Sequence, residues 1–250
     1  MTQPSLTPRN IEIRDSFDAI ADRYDLTNRV ISFGTDLHWR RVAVRALGTL
    51  PPGALALDLA CGTCDMALLI LRRNPGVRVV GADLSLRMLK LAQPKIADAL
   101  PGAGGPQAGS PQACPIPLVN APAEVLPFRD ESFDAVTIAF GIRNVPDRLA
   151  GLKEMLRVLR PGGRACILEF STPPSKLLWR VYNFYFFNIL PHLGGLLTGQ
   201  PSAYRYLTDS VSQFPVAAEF SGQMRDAGFE RVSCLTLYGG IVCVHTGVRP

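Results

Sequence analysis

The sequence has 250 residues, of which 47% are hydrophobic and 19% charged, and its net charge at neutral pH is +5. This length fits one α/β domain, and the apolar content excludes a disordered or fibrous chain. The balance of 26 basic and 21 acidic residues is too even to indicate a nucleic-acid partner. No apolar run typical of a signal peptide opens the chain, and no stretch is apolar enough to span a membrane, so we expect a cytoplasmic protein.

Residues 1–50 are charged and show the periodicity of helices. Apolar side chains first recur at a spacing of three to four at Ile13, Phe17, Ile20 and Ala21. A second run of this kind covers residues 37–50, and a Pro-Pro-Gly break follows it. The pattern predicts an N-terminal helical cap over residues 1–50.

Residues 54–170 alternate short apolar runs with helical segments. The predicted strands cover residues 55–60, 77–83, 116–120, 133–140 and 164–170. The predicted helices cover residues 66–74, 85–100 and 148–159, with Ser85 as an N-cap and residues 161–163 as a stop. This alternation predicts a parallel sheet with helices on both faces.

Two later segments differ from this pattern. Residues 101–117 hold nine Gly or Pro, which predicts a flexible surface loop. Residues 176–197 are apolar, and six of the chain's 20 aromatic residues lie between Trp179 and Phe187. The C-terminal runs on either side of Gly239 and Gly240 predict a β-hairpin.

A first candidate site follows the first predicted strand. Residues 58–65 read Asp-Leu-Ala-Cys-Gly-Thr-Cys-Asp, and Asp83 ends the second strand. Ligands bind at the carboxyl ends of parallel strands, where small residues let the backbone approach them. A carboxylate at Asp83 can accept hydrogen bonds from both ribose hydroxyls, so the pattern indicates a nucleoside site. It is not the dinucleotide pattern, because only Gly62 of the expected glycines is present.

Cys61 and Cys64 form a C-x-x-C pair, which leaves a redox site as an alternative. A zinc site at this pair needs two more ligands, and His38, His192 and His245 are scattered without ligand spacing. We therefore expect no metal.

A second candidate site, residues 140–147, follows the fourth predicted strand. Arg143 and Asn144 are expected to project into the same cleft as Asp58 and Asp83. An arginine beside a buried strand end needs a partner or a ligand. A structural ion pair of Arg143 therefore remains an alternative to a role in binding.

The chain resembles the class I S-adenosylmethionine-dependent methyltransferases, and within them the ubiquinone/menaquinone biosynthesis C-methyltransferase family. The motifs that carry the resemblance are at residues 58–63, 126–128, 137–145, 157–164, 168–171, 204–207, 214–215, 227–229 and 239–242. N-terminal matches are Phe17, Asp18, Ala21, Tyr24, Asp25, Asn28, His38, Trp39 and Arg40. Together they span nearly the whole chain except residues 101–117.

The resemblance implies one methyltransferase domain over residues 1–250, with a Rossmann-like seven-stranded sheet whose last strand is antiparallel. It implies S-adenosylmethionine as cofactor, held near Asp58, Gly62, Thr63, Asp83, Asn120, Ala121, Pro122, Ala123 and Ala139. The chain departs from the family at two positions. Cys64 stands where the family usually has Gly, and Pro122 falls where the family has the Asn or Asp that contacts the adenine amine. Asn120 is the nearest polar replacement.

The implied substrate is a polyprenyl hydroquinone, whose ring carbon attacks the methyl group of the sulfonium. Alignment and a dry pocket favour this transfer. We expect Arg143 to stabilise the phenolate, Asn144 to fix the ring oxygen, and Asp25 with Tyr24, or water, to accept the proton.

Residues 176–207 then have two interpretations, a cap that packs on the sheet or an aromatic substrate lid for the isoprenoid tail with peripheral membrane contact. Nucleic acid is not expected as a partner, and a homodimer remains open. Two alternative functions also remain open: methylation of another small hydrophobic or phenolic substrate, and a scaffold role with impaired cofactor binding.

Overall fold

The computed structural model describes residues 6–100, 115–190, 192, 195 and 201–250, and its core is a seven-stranded sheet. The strands are β1 (Leu55–Leu59), β2 (Arg78–Asp83), β3 (Leu118–Asn120), β4 (Phe133–Ala139), β5 (Leu159–Phe170), β6 (Glu230–Leu237) and β7 (Val242–Val248). Their order is β3-β2-β1-β4-β5-β7-β6. The first five strands are parallel, and β7 runs antiparallel to both β5 and β6. The predicted fold class and the antiparallel last strand are confirmed.

Nine α-helices lie in the described part of the chain. They are α1 (Pro8–Ile20), α2 (Tyr24–Ile31), α3 (Thr35–Leu47), α4 (Asp65–Arg73), α5 (Leu86–Ala99), α6 (Arg148–Val158), α7 (Lys176–Asn183), α8 (Pro201–Ser212) and α9 (Ala217–Asp226). Side-chain oxygens of Thr7, Ser85 and Asp147 accept N–H bonds at the starts of α1, α5 and α6. These caps satisfy backbone donors that the helices leave unpaired.

One predicted boundary was wrong by several residues, the start of strand β5 beside the Pro-Gly-Gly segment. Helix α6 ends at Val158, and strand β5 begins at Leu159 rather than at residue 164. Leu159 pairs with Phe133, and a register shift follows it before Arg164 pairs with Ala135. Residues 161–163 are an irregular stretch that still belongs to β5. The Gly162 N–H bonds to the Arg249 carbonyl oxygen, and the Arg249 N–H bonds to the Gly163 carbonyl oxygen.

Helices α1 to α3 precede the sheet and occupy the predicted N-terminal cap. Helix α3 buries Trp39, Ala43, Val44 and Leu47 in a hydrophobic cluster that includes residues of β1, β4, β5 and β7. A second cluster joins the opposite face of the sheet to α6 and α9. The sheet is therefore covered on both faces, and its strand tips lie next to α1 and α2.

The aromatic segment continues from α7 into a π-helix over Phe184–Ile189. Tyr182 and Phe186 are buried and stack with ring centroids 4.8 Å apart, and they pack against Phe170 and Leu207. No helix of the described residues is long and apolar enough to cross a membrane. Of the predicted loop, residues 101–114 lie outside the described residues.

Candidate active site

The tips of β1 and β4 approach each other closely. Gly141 follows β4, and a Cβ at this position would lie 2.5 Å from the Cβ of Ala60. Ala60 and Phe140, which directly follow the two strands, have φ values of 46° and 60°. Strained non-glycine backbone of this kind is typical of functional sites. Cys64 has a φ of 68°, so the position where the family usually has Gly does require left-handed backbone.

Asp83 ends β2 and faces the loop that follows β1. Its two carboxylate oxygens accept N–H bonds of 2.8 Å from Gly62 and Ser85. Burial raises the pKa of Asp83 to about 6, although these hydrogen bonds oppose the increase. Because the side chain also lines a cavity, its remaining lone pairs are available to a ligand.

This first cavity lies at the strand tips and comprises about 740 Å³ of space, part of it open to solvent. Predicted site residues in its lining are Tyr24, Gly62, Asp83, Ala121, Pro122, Ala123, Ala139 and Asn144. Glu124 also lines it, and burial raises the pKa of that carboxyl. Residue spacing had not indicated Glu124, which lies two positions after Pro122.

Three predicted cofactor residues lie outside this lining: Asp58, Thr63 and Asn120. The carboxylate of Asp58 is buried and accepts bonds from the Ala67 N–H at 3.1 Å and the Thr137 hydroxyl at 2.7 Å. Burial raises the pKa of Asp58 to about 7. The amide of Asn120 donates to the carbonyl oxygens of Asp83 and Leu84. Asn120 thus holds the chain after β2 through its Nδ2, and its role toward a cofactor stays a prediction.

Asp25 and Thr63 also lie outside the lining of this cavity. Asp25 forms a 2.6 Å ion pair with Lys95 and accepts a 2.7 Å bond from the Thr63 hydroxyl. The prediction that Asp25 takes a proton from a substrate in the cleft disagrees with this placement.

A second cavity of about 750 Å³ adjoins the first. Its lining is Ser16, Phe17, Ile20, Tyr24, Asn28, Ile31, Ser32, Asp36, Trp39, Arg40, Phe140, Arg143, Phe170, Tyr206 and Leu207. Phe17, Tyr24 and Phe140 line both cavities. Helices α1, α2 and α3 therefore enclose a largely apolar space next to the site that contains Asp83.

Arg143 lines the second cavity but already has an acidic partner. Its guanidinium lies 2.8 Å from the carboxylate of Glu169, and the two side chains are 6% and 0% exposed. It also donates to the Phe140 carbonyl oxygen at 2.6 Å. The structural ion pair is therefore present, and the positive charge of Arg143 is already compensated. Arg143 lines the second cavity and not the first cavity that Asp83 lines, which differs from the predicted shared cleft.

Arg40 lines the same cavity and is 7% exposed. Within the described residues it makes no ion pair, and its Nε has no hydrogen-bond partner. Its guanidinium carbon lies 5.3 Å from the Phe140 ring centroid. Its charge acts on Asp58 and Asp65, where it counteracts the effect of burial on the pKa of each carboxyl. A buried arginine whose Nε has no hydrogen-bond partner is costly unless a ligand completes its contacts. Residue spacing did not single out Arg40, although it belongs to the N-terminal motif that matches the family.

Tyr24 lines both cavities, and Asn144 lines the first. Burial raises the pKa of the Tyr24 hydroxyl, while Arg40, a bond from Asn28 and Arg143 act in the opposite direction. The Tyr24 hydroxyl therefore keeps its proton at neutral pH. The amide oxygen of Asn144 accepts a 3.1 Å bond from the Tyr206 hydroxyl.

Cys61 and Cys64 are free thiols buried outside the lining of both cavities. The bond to Cys64 and burial raise the pKa of the Cys61 thiol well above its usual range. A redox pair of the thioredoxin type needs a thiol with a lowered pKa, so this geometry disfavours the redox alternative.

The model of the ubiE/COQ5 methyltransferase family matches residues 6–249 of this chain. A ubiquinone/menaquinone biosynthesis C-methyltransferase UbiE of Geobacter sulfurreducens is 48% identical over 100% of this chain and 93% of its own length. A demethylmenaquinone methyltransferase of Thermus thermophilus is 46% identical over 94% of this chain and its whole length. A solved methyltransferase of Thermotoga maritima, 21% identical, covers 95% of this chain and 100% of its own with a TM-score of 0.63, which supports the fold. The chain belongs to the ubiE/COQ5 methyltransferase family.

Proposed function

We propose that this protein is an S-adenosylmethionine-dependent C-methyltransferase that methylates the ring of a polyprenyl hydroquinone. The products would be menaquinol from demethylmenaquinol, the methylated form of 2-polyprenyl-6-methoxy-1,4-benzoquinol, or both. The named relatives supply this reaction class. The observation that carries the proposal for this chain is the pair of adjoining cavities, one with Asp83 at the strand tips and one apolar with Arg40, joined at Phe17, Tyr24 and Phe140.

S-adenosylmethionine supplies an electrophilic methyl group on a positively charged sulfur. The first cavity fits its nucleoside part, because Asp83 offers a carboxylate at the strand tip and Gly62 keeps the adjoining loop free of side chains. Ala121, Pro122 and Ala123 would flank the adenine. We assign the contact with the adenine amine to Glu124, since Pro122 has no side-chain acceptor and Asn120 lies outside the lining of this cavity.

In the second cavity, Arg40 is our candidate for stabilising the phenolate that forms when the ring hydroxyl loses its proton. Arg40 forms no ion pair within the described residues and its Nε has no hydrogen-bond partner, whereas Arg143 forms a close ion pair with Glu169. The protonated Tyr24 would donate a hydrogen bond to the same ring oxygen, and Arg143 would position Phe140 through its carbonyl oxygen. Asp36 lines this cavity but forms an ion pair with Arg29 and accepts a 3.0 Å bond from the Ser32 hydroxyl. Since Asp25 is paired with Lys95, we assign the role of proton acceptor to water in the cavity.

The direct test is methyl transfer from S-adenosylmethionine to reduced demethylmenaquinol and to the benzoquinol, followed by mass spectrometry. We expect a product one methyl group heavier than its substrate. Arg40→Met should lower kcat by roughly 10²–10³-fold, the effect of removing one group that stabilises developing negative charge. Arg41→Met, an exposed position on α3, is the matched control and should leave kcat unchanged.

Titration calorimetry with S-adenosylmethionine separates an enzyme from a scaffold with impaired cofactor binding. We expect binding despite Cys64 and Pro122. Absence of both binding and turnover would contradict the proposed function. Turnover that survives Arg40→Met would contradict only the assignment of the phenolate contact.

The segment over residues 176–207 is proposed as the substrate lid, with peripheral membrane contact on its outer side. Leu177 and Phe184 are 74% and 64% exposed, and Phe33 on the adjoining turn is 79% exposed. Lys176 and Arg180 are exposed on the same helix and would attract anionic lipids. The buried side of the segment packs against residues that line the second cavity.

Cosedimentation with anionic liposomes tests this contact. The double variant Leu177→Ser/Phe184→Ser should bind vesicles several-fold more weakly than the original chain. Leu149→Ser, which replaces a leucine that is 44% exposed on α6, should not change binding. Equal binding by all three proteins would contradict the membrane contact.

A further inference from the structure

Three potential metal ligands come together on the C-terminal hairpin, away from both cavities. Cys234 lies on β6, and Cys243 and His245 lie on β7. Cys234 pairs directly with His245 in the antiparallel register. The two sulfur atoms and a ring nitrogen all lie within 4.8 Å of one another, and the Cys234 Sγ lies 3.8 Å from the His245 Nε2.

These separations are close to those of a tetrahedral zinc site. Zinc bonds of about 2.3 Å to sulfur and about 2.0 Å to nitrogen place neighbouring ligand atoms roughly 3.5–3.8 Å apart. Small side-chain rotations of Cys234 and Cys243 would therefore close the cluster around one ion. Two thiols and one imidazole form a ligand set that favours Zn²⁺ over Mg²⁺ or Ca²⁺.

The surroundings of His245 prepare its ring for this role. The ring is 1% exposed, and its Nδ1 lies 3.1 Å from the hydroxyl of Ser221 on α9. With the Nδ1 proton donated to that hydroxyl, the lone pair of Nε2 faces the two thiols. A second hydrogen bond that sets the tautomer of the ring is the usual support of a metal-bound histidine.

Ser171 adds a polar group to this cluster. Its hydroxyl, directly after β5, is buried next to the Cys243 sulfur. Ser171 is held next to β7 by its N–H bond of 2.9 Å to the Ile241 carbonyl oxygen. Cys234 is exposed, which provides the route for an ion to enter.

We propose that Cys234, Cys243 and His245 form a zinc site, with the fourth ligand a water molecule that Ser171 hydrogen-bonds. The site would tie β6 to β7 and thus stabilise the edge of the sheet. Cys243 also pairs with Glu169 of β5, so the site lies one strand from the ion pair of Arg143.

The test uses the full chain without an affinity tag, reduced, stripped with a chelator, incubated with Zn²⁺ alone and desalted. We expect about one zinc per chain by elemental analysis, and a thiolate-to-metal absorption band when Co²⁺ is used instead. Cys234→Ser and His245→Gln should each lower zinc retention at least tenfold. Cys61→Ala, which removes a thiol of the other cysteine pair, should retain as much zinc as the original chain.

Thermal unfolding provides a second measurement that does not depend on activity. Zn²⁺ should raise the Tm of the original chain and of Cys61→Ala, but not that of Cys234→Ser, because a ligand stabilises only the fold that binds it. Since Cys234 is exposed, we expect this variant to fold. The proposal is overturned if the original chain retains no zinc, or if Cys234→Ser retains as much as the original chain.

Discussion

The buried ion pair between Arg143 and Glu169 predicts how far Arg143→Met lowers the free energy of unfolding. The same value is needed to interpret the turnover of that variant. Arg143→Met removes the guanidinium and leaves the Glu169 carboxylate, which is 0% exposed, without a counter-charge. Breaking a buried pair in this way costs roughly 3–5 kcal/mol. For a chain of this length, that loss should lower the Tm by roughly 6–20 °C.

The double variant Arg143→Met/Glu169→Gln should recover most of this loss. Glutamine removes the charge but keeps an oxygen that can accept the N–H of Phe170, which now bonds to Glu169 at 3.0 Å. Arg9→Met is the surface control. It breaks a pair with Glu12 whose side chains are 56% and 65% exposed, and it should cost about 0–1 kcal/mol.

Urea unfolding followed by tryptophan fluorescence measures all four proteins. An exposed ion pair contributes about 1 kcal/mol or less. If the free energy of unfolding of Arg143→Met lies within about 1 kcal/mol of that of the original chain, the reasoning from burial is refuted. If the double variant regains stability but not turnover, Arg143 contributes to catalysis as well as to the fold. Turnover of Arg143→Met alone cannot separate these two effects.

Asp83→Asn should weaken S-adenosylmethionine binding roughly 10- to 150-fold, the equivalent of one hydrogen bond to a charged group. Affinity of the original chain should fall below about pH 6, where the raised pKa protonates Asp83, and calorimetry across pH should find no such fall in the variant. Asp58 has a pKa of about 7 when folded, so the folded state binds more protons than the unfolded one between about pH 4 and about pH 7. Stability to urea should decrease as pH rises through this window, and Asp58→Asn should flatten the profile; an unchanged slope would contradict the assignment. Cys64→Gly should be about 1 kcal/mol more stable than Cys64→Ala, because only glycine relieves the positive φ of 68°; equal urea midpoints would argue against strain at this position.

Local patterns predicted the architecture well. The alternation of apolar strands and amphipathic helices identified the five parallel strands, and Gly239 and Gly240 marked the hairpin of β6 and β7. The errors fell at residues 159–163, where Leu159 pairs with Phe133 of β4. A pairing of this kind depends on a distant strand, so the local Pro-Gly-Gly pattern could not reveal it.

The sequence predicted which residues lie near the strand tips, but not which groups bind their side chains. Strand ends correctly located Asp83 and Gly62 at a cavity, because the carboxyl ends of parallel strands share one edge of the sheet. Whether Asp58 faces that cavity depends on Ala67 and Thr137, which bind its carboxylate. Asp25 is similarly occupied by Lys95, 70 residues away in the chain.

The sequence by itself determined the fold class, the family and the edge of the sheet at which the two cavities lie, because these depend on periodicity and on short motifs. Only the tertiary structure decided that Arg143 is neutralised by Glu169, while Arg40 forms no ion pair within the described residues and its Nε has no hydrogen-bond partner. It also brought Cys234 beside His245. Electrostatic roles depend on the distances and burial of side chains from separate elements, and those are set when helices pack on the sheet.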